Sequence, residues 1–114
     1  DALRQEFGTK IQVYDWVQAG NMLEGAATVV NTSSLGMVGK PELRVPLDGL
    51  RKETVVTDLV YKPLKTNLLK VAAEAGCTTV DGLGMLLHQG VPGFERWFGT
   101  RPTVDNATRA AVLR

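Results

Sequence analysis

Glu53-Thr-Val-Val-Thr-Asp-Leu-Val-Tyr-Lys-Pro-Leu-Lys-Thr-Asn-Leu-Leu69 is the stretch whose reading decides the fold. Val55 to Val60 has the length and β-branched content of a strand buried on both faces. Asp58 and Tyr61 stand where such a strand emerges, and Lys62-Pro63 cannot continue it as a central strand. Thr66 is placed to cap a helix that carries Leu68, Leu69, Ala72 and Ala75 at helical spacing, with Gly76 just past its end.

Downstream, Thr78 to Asp81 reads as another short parallel strand, and Gly82-Leu83-Gly84 turns it into a helix from about Met85. Pro92 removes the backbone bond to His88 and crowds its carbonyl. A kink is therefore expected, or two shorter helices, the second spanning Phe94 to Phe98 and stopped by Gly99. A last helix, capped by Asp105 or Thr103, lies between Arg101 and Arg114. Upstream, Ala26 to Val30 reads as a small buried strand. It leads into a polar loop, Asn31 to Met37, and an ordered surface connection from Val38 to Leu50. Lys10 to Trp16 reads as a further strand with Ile11 and Val13 on one face, Asp1 to Phe7 as a helix stopped by Gly8, and Val17 to Leu23 as a short helix. Alternating strands and helices imply an α/β fold with a parallel sheet.

The totals narrow the partners. With 13 Lys+Arg against 12 Asp+Glu, the net charge of +1 suggests neither a nucleic-acid nor a membrane partner. No apolar run approaches the roughly 20 residues of a membrane helix, and no charged-then-apolar leader opens the chain. The single cysteine, Cys77, excludes an internal disulfide and fits a reducing cytoplasm; it reads as a small packing hydrophobe. His88 has no second histidine or cysteine beside it, so no metal site is expected. No nucleophile–base arrangement or carboxylate pair is evident, and Gly82-x-Gly84 alone is a weak nucleotide signal.

In parallel α/β sheets ligands bind beyond the carboxyl ends of the strands. Three such ends carry unusual residues here: Asn31 to Met37, Asp58 to Tyr61, and Asp81 to Met85. Each also has a plain explanation. Asn31, Thr32 and Ser33 are turn formers, Tyr61 suits a half-buried ring with a hydrated hydroxyl, and Met85 falls at core spacing.

Taken together these residues resemble a family. Asn31-Thr-Ser-Ser-Leu-Gly-Met37, Asp58-Leu-Val-Tyr-Lys-Pro-Leu-Lys-Thr66 and Asp81-Gly-Leu-Gly-Met-Leu-Leu-His-Gln89 look like three successive motifs of shikimate dehydrogenase, and Phe94-Glu-Arg-Trp-Phe-Gly99 resembles the aromatic close of the last. The resemblance covers most of residues 26 to 99. It implies an incomplete Rossmann-type sheet, strands 3 to 6 of the doubly wound order 3-2-1-4-5-6, in a partial NAD(P)-binding domain that fills the chain. The substrate domain and the glycine-rich phosphate loop are expected to be absent. The implied reaction is reduction of 3-dehydroshikimate to shikimate with NADPH, in the pathway to aromatic amino acids.

Site residues follow from the same resemblance. Asn31, Thr32 and Ser33 would border the cofactor's ribose and pyrophosphate, Leu59 and Met85 would pack against the nicotinamide, and Gly82 would offer its backbone to the carboxamide. Tyr61 and Gln89 would reach the substrate. The family's catalytic lysine and aspartate belong to the substrate domain, so no catalytic residue is assigned in this chain, which is expected to be inactive by itself. Two alternatives stand beside this reading: a quinate-using relative, and a non-catalytic binding or assembly module of the same fold. An orphaned central edge at residues 26–30 is expected either to mediate self-association or to be filled by the Lys10 to Trp16 strand.

Overall fold

The computed structural model describes residues 1–114. Three strands, β1 (Thr28–Asn31), β2 (Val55–Asp58) and β3 (Thr78–Val80), form a parallel sheet in the order β1-β2-β3. The register pairs Val29 with Val56 and Val56 with Thr79, so these three share one face. Val30, Thr57 and Val80 share the other.

Helix α3 (Asn67–Glu74) covers the first face. Its Leu68, Leu69 and Ala72 meet Val56, Cys77, Leu23 and Leu50 in the core. The Thr66 hydroxyl accepts from Leu69 N–H, as the cap reading requires, and Gly76 takes the left-handed conformation (φ 83°) that ends the turn. The connection from β1 to β2 contains no helix. Instead Leu43, Val45 and Leu47, spaced two apart, turn one side of an extended segment onto the core. The alternation is plain in the sequence, and no partner strand is needed to express it.

Two expectations are corrected. Lys10 to Trp16 is not a strand: residues 8–10 and 16–18 are 3₁₀ turns and the residues between pair with nothing in the sheet. A lone strand leaves its amides and carbonyls without ladder partners, and in the doubly wound order the neighbour of strand 3 is strand 2. The segment therefore does not fill the free edge of β1 either. The second correction concerns Pro92. Helix α4 runs without interruption from Leu83 to Phe98, where the sequence suggested a kink or two helices. Both His88 and Pro92 are exposed, so water can take the carbonyl that the proline leaves unpaired while the flanking turns keep their bonds. Gly99 (φ 71°) ends α4.

The remaining helices are short: α1 (Ala2–Phe7), α2 (Ala19–Met22) and α5 (Asn106–Val112). Asp105, rather than Thr103, caps α5 by accepting from Thr108 N–H at 2.8 Å. No helix is long and apolar enough to cross a membrane.

Candidate functional site at the carboxyl rim of the sheet

The rim is built on one buried carboxylate. Asp58 ends β2 and is 1% exposed. Asp58 Oδ1 accepts from Asn31 Nδ2 (3.0 Å) and Val60 N–H (2.9 Å), and Oδ2 accepts from the Thr66 hydroxyl (2.7 Å). All three partners are donors, which is how a buried carboxyl is satisfied without a counter-charge. The strand end, the lip beyond it and the cap of α3 are thus tied to one group.

Asn31 extends the same network into the next loop. Its Nδ2 also donates to Leu35 O (3.1 Å), while its Oδ1 accepts from Ser33 N–H (3.1 Å) and the Ser33 hydroxyl (2.7 Å). Ser33 Oγ in turn accepts from Leu35 N–H at 3.2 Å. Both donors and both acceptor positions of the Asn31 amide are engaged inward. The side chains of Asn31 and Ser33 shape this loop, and Thr32 is the exposed member of the three.

Thr32, Ser33, Leu59 and Tyr61 line one cleft of about 430 Å³ together with Met37, Val38 and Lys62. Val38 N–H donates to Lys62 O (2.9 Å), which closes the cleft on the side of the cis Lys62-Pro63 bond. Gly82 packs against the backbone of Leu59, which lines this cleft. A Cβ on it would stand 2.5 Å from Leu59 O and 2.9 Å from Asp58 O, so only glycine lets α4 begin against the end of β2. Met85 and Gln89 are exposed and four residues apart on α4, one above the other on a single face. They lie outside the cleft lining, so the structure groups Thr32, Ser33, Leu59 and Tyr61 closely and presents Met85 and Gln89 from the adjoining helix.

Asp81 holds that helix start and the chain's end together. It accepts from Leu83 N–H (3.2 Å) and from both terminal nitrogens of Arg109, whose Nη1 lies at 3.1 Å and whose Nη2 meets Oδ2. The Arg109 hydrogen bond is the main reason the Asp81 carboxyl sits below its ordinary pKa, partial burial opposing it; the same bond raises Arg109. No group of three or more His, Cys, Asp or Glu side chains is placed to hold a metal ion.

Arg109 is what sequence reasoning missed, and Asp58, noted there at its strand end, was given no role. A carboxylate inside a β-branched run is a signal in itself, because burial demands donors. Arg109 gave none, since 28 residues separate it from Asp81.

Comparison with known proteins gives the rim a context. The family model described as the shikimate 5'-dehydrogenase C-terminal domain matches residues 82–112. Shikimate dehydrogenase (NADP(+)) of Cereibacter sphaeroides is 73% identical over 113 residues, 99% of this chain and 40% of the relative. Over nearly its whole length the chain is thus similar to part of a shikimate dehydrogenase, with its last third matching that family's C-terminal domain. Among solved structures, shikimate 5-dehydrogenase from Listeria monocytogenes, in complex with shikimate and NAD, superposes with a TM-score of 0.74 at 34% identity, covering 89% of this chain and 36% of its own. Quinate dehydrogenase from Corynebacterium glutamicum, in complex with NAD, gives 0.73 at 36% identity over 82% of this chain and 33% of its own. The chain thus spans about 40% of the length of the curated shikimate dehydrogenases it matches. The Rossmann-type parallel sheet with flanking helices agrees with these neighbours.

Proposed function

We propose that this chain forms the later half of the cofactor domain of an NADP-dependent shikimate dehydrogenase, working with a substrate-binding portion that supplies the catalytic residues. The observation that carries the reading is the convergence of Thr32, Ser33, Leu59 and Tyr61 on one cleft, with Gly82 packed against the Leu59 backbone, in a chain 73% identical over 113 residues to an enzyme of that name. When bound, NADPH would supply a hydride to the ketone carbon of 3-dehydroshikimate, a proton completing the alcohol.

The chain's residues suit the nicotinamide end of such a cofactor. At Gly82 the backbone is bare of a side chain and can approach the carboxamide. Leu59, at the lip, and Met85, on the first turn of α4, are apolar surfaces for a flat ring and keep water from its reactive face. Thr32 offers the exposed hydroxyl of its loop to ribose or pyrophosphate, with Asn31 and Ser33 holding the loop in shape. Tyr61 and Gln89 bring a hydroxyl and an amide, groups that donate to and accept from vicinal hydroxyls. A single unpaired cysteine suits a cytoplasmic enzyme.

The test is reconstitution. The 114-residue chain alone should not reduce NADP with shikimate, whereas the full-length enzyme carrying it should. Turnover by the isolated chain would overturn the division of labour, and no turnover by the full-length protein would overturn the reading. A quinate-using relative is the second reading, favoured by the near-equal superposition on quinate dehydrogenase. Comparing kcat/KM for quinate and shikimate in the full-length enzyme decides between them. Tight cofactor binding without turnover of either would point to the non-catalytic module.

A further inference from the structure

We propose that Asp58 is a positioning residue that couples the cofactor-side loop to the substrate-side lip, so that the two walls of the cleft keep their separation only while its carboxylate is intact. The proposal rests on the enzyme reading for its consequence in catalysis, and on geometry alone for the coupling.

The hydrogen bonds form one continuous chain. Leu35 N–H donates to Ser33 Oγ, Ser33 Oγ to Asn31 Oδ1, and Asn31 Nδ2 to Asp58 Oδ1. From the far side, Leu69 N–H donates to Thr66 Oγ1 and Thr66 Oγ1 to Asp58 Oδ2. Val60 N–H joins at Oδ1, one residue from Tyr61 and one from Leu59. The Asn31–Ser33 loop and the Leu59–Tyr61 lip follow different strands, and these bonds run between them without passing through solvent. Asn31, Asp58 and Thr66 are all buried.

Each direct partner points a hydrogen at Asp58. An asparagine there has one acceptor oxygen where the aspartate has two: with its amide nitrogen toward Asn31 and Val60 it meets two donors, and turned the other way it can donate to Thr66 Oγ1 only if that hydroxyl swings its own hydrogen away and leaves it unpartnered. Low exposure makes that mismatch costly, since water cannot step in. Loosening should then spread along the chain of bonds and reach Ser33 and Leu35, which do not touch Asp58. A residue with only local structural weight would not have that reach.

Asp58→Asn in the full-length enzyme tests this, with Thr54→Val as the matched control. Thr54 is equally buried, just before the opposite end of β2, and its hydroxyl donates to Ala26 O (3.1 Å) away from the cleft. Hydrogen exchange should quicken together at Ser33, Leu35, Val60 and Leu69 in Asp58→Asn, by about tenfold or more, the size of one lost hydrogen bond to a charged group. Thr54→Val should leave those four amides unchanged. In Asp58→Asn the KM values for NADP and for shikimate should rise together, with kcat changed less. Faster exchange confined to Val60, or equal loosening by Thr54→Val, overturns the coupling; a fall in kcat at unchanged KM values overturns its catalytic consequence. If Asp58→Asn does not fold, Thr66→Val removes the donor to Oδ2, and a response at Leu69 without one at Ser33 and Leu35 overturns the coupling. Exchange needs no turnover, so an enzyme inactive on shikimate would refute the functional reading and still decide this one.

Discussion

Gly82 and Gly84 are two residues apart and have opposite surroundings. A methyl at Gly82 would press on the Leu59 carbonyl carbon at 2.8 Å, whereas one at Gly84 would meet nothing within 4 Å. Gly82→Ala is therefore expected to cost about 1–3 kcal/mol of stability through overpacking, and to weaken NADP binding by the full-length enzyme. Gly84→Ala should instead stabilise α4 by roughly 0.5–1 kcal/mol, because its backbone is helical and alanine has less freedom to lose. Thermal unfolding with calorimetric titration of NADP checks both, and a Gly82→Ala variant that melts and binds like the parent would be incompatible with the contact described. The sequence singled out this glycine pair as a turn; which of the two is sterically required emerged only from the approach of Leu59.

At the scale of elements, the Asp81–Arg109 pair fastens α5 to the junction of β3 and α4. Asp81 has a folded pKa below its ordinary value. Its contribution is therefore fully present above the unfolded carboxyl value, about 3.9, and is lost as pH falls through the lower folded value. Carboxyl-carbon NMR should find Asp81 titrating below the ordinary range, and Arg109→Ala should return it upward. An unchanged titration in that variant would show that the Leu83 amide, not the guanidinium, sets the shift. Partial exposure of the pair to water screens it and keeps its contribution to stability small. Helix α4 offers a second test. Pro92 is tolerated in mid-helix at an exposed site, so Pro92→Ala should restore the bond to His88 O and stabilise the helix by about 1 kcal/mol or more. A lower melting temperature for Pro92→Ala would contradict this account. The interruption at residues 90–93 was legible as local propensity; that the helix continues through it depends on solvent access to one carbonyl, which no local pattern encodes.

The whole molecule is more open than its length suggests. Its radius of gyration is 16.6 Å, against about 13 Å expected for a self-contained domain of this size, and only 15 of 114 residues are buried. The sheet explains much of this. Val30 and Val80, on the face away from α3, are each 48% exposed, and β1 ends the sheet with one side unpaired. An apolar face beside a free strand edge is a template for another chain. The isolated 114-residue chain is expected to self-associate through β1, as seen by light scattering, and to lose that association when the remainder of the enzyme is added. A monomer whose Thr28–Asn31 amides exchange freely would refute this.

Sequence by itself determined the local units and the order of the motifs: a β-branched run from Val55, a cap at Thr66, left-handed stops at Gly76 and Gly99, and three polar strand ends that resemble one family. These are short-range properties, set by steric limits on single residues and by the periods of strand and helix. Tertiary structure alone decided which of those units find partners. Lys10 to Trp16 has the alternation of a strand but no neighbour in this chain, and hydrogen bonding between strands is a property of pairs. Thr54 to Leu69 shows the same division within one stretch. Its strand, lip and helix could be read directly, but the role of Asp58 as their common anchor required Asn31 and Thr66 to be brought to it, because a buried carboxylate is satisfied only by donors that the fold delivers.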